Sequence, residues 1–145
     1  MAKGSIGLRA RARLTAARTV GRICPTMRFK KLFTRREAES SLPLVRRIVA
    51  DALETARKIR SLNEEDPAVP RLQTELEEHM RELEEMGCYF KDWNFSVGLV
   101  DFPAEIDGET VFLCWRSDES TLDWYHGVEE GYGGRRRLPD HAPSA

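Results

Sequence analysis

The chain has 145 residues, a formal net charge of −1, and 41% hydrophobic and 32% charged residues, the size and composition of one heavily solvated domain with a single modest core. No apolar run approaches the roughly 20 residues that a membrane-spanning helix needs, so no membrane span is expected. Cys24, Cys88 and Cys114 are an odd set without Cys-x-x-Cys spacing, which argues against a disulfide framework or a four-ligand zinc site and fits a reducing cytoplasm.

The near-neutral total hides a strong segregation. Eleven of the 23 basic residues lie in 1–36 with no acid among them, which leaves 12 basic against 24 acidic residues, a net of −12, in 37–145. An acidic body repels a phosphate backbone, so nucleic-acid binding would fall to the basic arm. Residues 1–30 read as a disordered basic extension: Arg-rich, without the apolar core of a secretory signal, and with Arg9, Arg11, Arg13, Arg18 and Arg22 on no clear stripe and among no aromatics. A transit-type leader, a nucleic-acid-binding tail and an upstream start ahead of Met27 all fit that composition. The domain is expected over 31–138, with 139–145 as a disordered tail.

Thr34 and Glu37 have the spacing of a capping box, which predicts a helix start there. Pro43 removes a backbone donor, so a short opening helix or a kink near Leu42 is expected before a longer helix over 44–62. Val45, Val49, Ala52, Ala56 and Ile59 give that helix one apolar face. Asn63 to Pro70 reads as a connection. Leu72, Leu76, Met80 and Leu83 then mark a second helix over 71–86 that Gly87 should end as a left-handed residue. The glutamates between Glu75 and Glu85 read as a solvated face, and His79 as a boundary residue. Two such stripes exceed what a small sheet can bury, which points to self-association through the helices.

Cys88 to Asp92 is a short strand candidate. Asp107-Gly108 between two β-rich runs predicts a type I′ hairpin of 99–106 with 109–116. A two-residue loop pairs Ile106 with Glu109, Phe102 with Leu113, Val100 with Trp115 and Asp101 with Cys114. A four-residue turn at 117–120 would bring Thr121 to His126 back with Trp124 beside Leu113, His126 beside Val111 and Asp123 beside Cys114. Val100, Phe102, Val111, Leu113, Trp115, Leu122 and Trp124 then form the face packed on the helices. The expected architecture is α+β: an N-terminal antiparallel helical hairpin on an antiparallel β-meander of three to four strands.

Particular stretches resemble a known family. Phe33-Thr34, Glu37-Ala38, Leu42-Pro43, Lys91-Asp92, Gly98-Leu99-Val100-Asp101-Phe102-Pro103-Ala104, Leu113-Cys114-Trp115-Arg116, Glu119, His126, Gly131 and Gly134-Arg135 are similar to the bacterial domain of unknown function 2203 family. The resemblance runs from about Met27 to Leu138, favours Met27 as the start of the domain and implies no activity. The family tends toward Tyr-Trp-His where this chain has Trp124-Tyr125-His126.

Asp92, Asp101, Arg116, Glu119 and His126 are the polar residues a sheet could bring together. Asp92, Asp101, Glu119 and His126 are the candidate ligands for a divalent metal, and Asp101, Arg116 and His126 the candidate catalytic set. The inferred register opposes a shared site by putting Asp101 and His126 on opposite faces. Asp101 is expected to pair with Arg116 instead, and His126 to close the core. Cys114, between Asp101 and Asp123, would have its thiol pKa raised and reads as a packing residue. Arg135 and Arg136 follow a Gly-rich run that could cradle an anion, but the run matches no phosphate-loop pattern, and a basic tail is the simpler reading. No nucleophile elbow or His-Glu-x-x-His motif is present. The sequence therefore favours a cytoplasmic, non-enzymatic interaction or assembly module, with an unidentified protein partner and no cofactor. A small metal- or anion-binding enzyme using Asp101, Arg116 and His126 is the alternative, and nucleic-acid binding through residues 1–31 comes third.

Overall fold

The computed structural model describes residues 29–139; the basic arm up to residue 28 and the tail from 140 lie outside the described residues, and with them the expectations placed there. Helix α1 spans Arg35–Ser61 and α2 spans Ala68–Met86. Strands follow as β1 Tyr89–Phe90, β2 Leu99–Ile106, β3 Glu109–Arg116, β4 Trp124–Gly127 and β5 Arg136–Arg137. They form one antiparallel sheet in the order β1-β2-β3-β4-β5. The α+β class stands, with five strands where three to four were expected.

The capping box is in place. Glu37 N–H donates to Thr34 Oγ1 at 3.0 Å, and Thr34 N–H to Glu37 Oε1 at 2.9 Å. The chain then runs through Pro43 as a single helix of 27 residues rather than breaking after a short opening one. Pro43 and Glu39, whose carbonyl loses its donor, are both exposed, so water can satisfy that carbonyl, while buried Leu42 and Val45 hold the helix on either side. The second helix begins at Ala68, earlier than expected, because Pro70 falls in the first turn, where a missing N–H removes nothing from the helix. Asp66 accepts the Ala68 N–H at 2.8 Å. Gly87 ends the helix at φ +96°, and Cys88 N–H reaches back to the Leu83 carbonyl at 3.1 Å.

Both apolar stripes are buried within one chain: Val45, Val49 and Ala52 on α1, and Leu72, Leu76 and Leu83 on α2. They pack against each other and against Val100, Phe102, Leu113 and Trp115 from the sheet. The stripes read from the sequence are thus buried inside the fold, while Leu44 on α1 is exposed. Gly98, at the entry to β2, passes so close to α1 that a Cβ there would lie 2.3 Å from Val49 Cγ1. No helix among the described residues is long and apolar enough to cross a membrane.

Asp107 and Gly108 both have positive φ, 51° and 81°, as a type I′ turn requires, and the β2–β3 register is the predicted one throughout. The next register differs by one residue. Cys114 pairs with Trp124, Leu113 with Tyr125 and Phe112 with His126, because the connection runs from Ser117 to Asp123 and not through a four-residue turn. Trp115 Nε1–H donates to the Glu119 carbonyl and Glu119 N–H to the Arg116 carbonyl, while Leu122 is drawn into the core. A one-residue slip moves a whole strand to the other face. Tyr125, rather than Trp124, consequently packs toward the helices, and His126 joins the face that carries Asp101 and Cys114.

Candidate functional site

That second face is covered. Asp101, Pro103, Phe112, Cys114 and His126 are all buried, although this face points away from the helices. Phe29 covers it near β1, with its ring 5.9 Å from Tyr89 and 5.4 Å from Phe112. Arg135 covers it from the other side, stacked 4.7 Å from both the Trp124 and Tyr132 rings. The segment read as a basic tail is thus ordered: Arg135 Nη2 binds both Glu119 oxygens, at 2.9 and 2.8 Å, and β5 pairs with β4.

Beneath this cover the register assembles three unlike polar groups. Asp101 is directly across from Cys114, and His126 enters from β4, one row along. His126 Nε2 lies 3.2 and 3.1 Å from the two Asp101 oxygens, and the potential ligand atoms of Asp101, Cys114 and His126 all fall within 4.8 Å of one another. The expected separation of Asp101 from His126 is thereby corrected: Asp101 sits where the β2–β3 register put it, and His126 had been placed by a β3–β4 register that is one residue out. The side chains of the pair are each only 4% exposed.

His126 Nδ1 is 2.8 Å from the Gly127 carbonyl, which can only accept, so Nδ1 carries the hydrogen. In a neutral ring, Nε2 would then turn a lone pair toward the carboxylate. Either a second ring proton or a cation at Nε2 relieves that repulsion. Burial pulls the imidazole down, its largest single influence, yet the Asp101 hydrogen bond and charge and the Gly127 carbonyl together hold it above the ordinary histidine value. The Cys114 thiol is pushed far up, by burial first and then by the Asp101 charge, with Arg135 opposing. In the metal-free site Cys114 is therefore a thiol and no nucleophile, as its acidic neighbour suggested.

The other sequence candidates have structural employment. Asp92 accepts the backbone N–H groups of Asn94, Ser96 and Val97 and so shapes the loop into β2. Arg116, expected beside Asp101, instead reaches Asp118 at 3.1 Å and the Tyr132 hydroxyl at 2.9 Å. Glu119 accepts the Arg116 N–H as well as Arg135. Arg136 pairs with Glu130 and stacks on Tyr125. Asp123, expected beside Cys114, binds Arg35 at 3.2 Å.

The model of the family described as "Uncharacterized conserved protein (DUF2203)" matches residues 31–138. The chain belongs to that family. No curated protein and no solved structure matches it. Within the DUF2203 domain, the stretches that carry the resemblance, Gly98 to Ala104, Leu113 to Arg116 and His126, are the ones that supply the three clustered groups. Cys114 is the member that sequence reasoning did not count as a ligand. Its pairing with Asp101 across the Asp-Gly hairpin was nevertheless legible, and a ligand-type residue directly opposite a carboxylate is the signal that could have found it.

Proposed function

We propose that this DUF2203 domain is a metal-binding protein that holds one divalent first-row transition ion, zinc by its ligand chemistry, between Asp101, Cys114 and His126. The observation that carries the reading is the buried convergence of a carboxylate, a thiol and an imidazole, with the imidazole's far nitrogen already bound to the Gly127 carbonyl. A metal-ligating histidine typically makes such a bond with its second nitrogen, because it sets the tautomer and aims the other lone pair. A nitrogen, a sulfur and an oxygen ligand suit zinc or cobalt, and three protein ligands leave a fourth tetrahedral position for water or substrate. A reducing cytoplasm would keep Cys114, a free cysteine, available as the thiolate ligand.

The test uses untagged protein stripped of metal and titrated with zinc, the bound metal being measured by elemental analysis. One equivalent is expected for the wild type, with strong loss in Cys114→Ser, Asp101→Asn and His126→Ala. A wild type that retains no zinc at micromolar concentration overturns the reading and leaves the Asp101–His126 pair as a buried ion pair that ties β4 to β2.

A further inference from the structure

Lys91 is unaccounted for by the fold. Its backbone N–H bonds the Leu99 carbonyl at 2.8 Å, which places it one row beyond Asp101 on the sheet. Its ammonium nevertheless lies 5.0 Å from the centre of the Phe112 ring and 5.8 Å from that of Tyr89. Phe112 pairs with His126 and Tyr89 with Asp101. The side chain is therefore folded back across the row that carries the cluster. It is half-buried, and no carboxylate forms an ion pair with it among the described residues. Two ring faces compensate an ammonium only in part.

We propose that the open position of the metal site takes an anionic oxygen ligand, a carboxylate or phosphate group, which Lys91 holds against the metal between the Tyr89 and Phe112 rings. The inference rests on the metal reading and follows from its charge balance. A divalent ion with the Cys114 thiolate, the Asp101 carboxylate and a neutral His126 is a neutral centre. Lys91 then leaves one positive charge beside a buried, low-dielectric site, where an anion reaching both the metal and the ammonium is favoured.

The experiment uses the full chain with cobalt in place of zinc, because the visible cobalt bands report first the metal and then any change in its fourth ligand. Acetate and inorganic phosphate are titrated separately, which distinguishes a carboxylate from a phosphate preference. A saturable shift of the bands with at least one of them is expected, with apparent affinity about tenfold or more weaker in Lys91→Met, the loss of one charge-assisted contact, and largely kept in Lys91→Arg. No shift with either anion, or an equal response in Lys91→Met, overturns the anion role while leaving the metal site standing. Absence of the cobalt bands in the wild type overturns the metal reading and this inference with it, and differs visibly from bands that fail to move.

Discussion

His126 links two strands through opposite sides of one ring: Nδ1 to the Gly127 carbonyl and Nε2 to Asp101. In metal-free protein the imidazole's pKa is raised above its ordinary value, since Asp101 and the Gly127 carbonyl outweigh burial. A group with a higher pKa folded than unfolded contributes stability that is complete below its unfolded value of about 6.5 and is lost as pH rises through the folded value. Chemical denaturation of metal-free protein should therefore show stability falling over the interval above pH 6.5, and His126→Gln should flatten that slope. An unchanged slope in the variant would assign the pH dependence elsewhere. Asp101→Asn removes the carboxylate that holds the imidazole up, so the same denaturation series should show its stability loss growing as pH falls, where the ring would otherwise be charged.

At the scale of elements, Gly98 is a tight joint, where β2 meets α1. Gly98→Ala would set its methyl against Val49 Cγ1 and Ser117 Cβ, and overpacking of this kind costs about 1 to 3 kcal/mol. A shift of the urea midpoint to lower concentration with little change in slope is expected; no shift would mean that the strand entry can move away from α1. This scale also shows what was readable before the structure. Thr34 with Glu37, Gly87, and Asp107 with Gly108 act through bonds within a few residues, so their patterns gave the start of α1, the end of α2 and the β2–β3 register. The β4 register depends on how Leu122 and Glu119 fold the seven residues from Ser117 to Asp123, a tertiary matter with no local marker. That single step decided whether Asp101 and His126 met. The cover over the second face was unreadable for a related reason: Phe29 and Arg135 act at long sequence range, and Arg135 looked like part of a solvated basic run.

Across the whole molecule, the sheet has a core on each side. The helices bury one face through Val100, Phe102, Leu113 and Trp115, and the smaller second layer buries the polar cluster. Metal binding to the native state alone would stabilise the whole domain through linkage, by about 2.7 kcal/mol at a hundredfold excess over the dissociation constant. Thermal melts should move to higher temperature with zinc for the wild type and stay in place for Cys114→Ser. Equal shifts in both proteins would place the metal elsewhere.

Zinc-edge X-ray absorption on the one-equivalent complex tests the central claim most directly. The account predicts a first shell with one sulfur at about 2.3 Å and nitrogen or oxygen neighbours at about 2.0 to 2.2 Å, the sulfur disappearing in Cys114→Ser. A shell of oxygen and nitrogen alone in the wild type would contradict it.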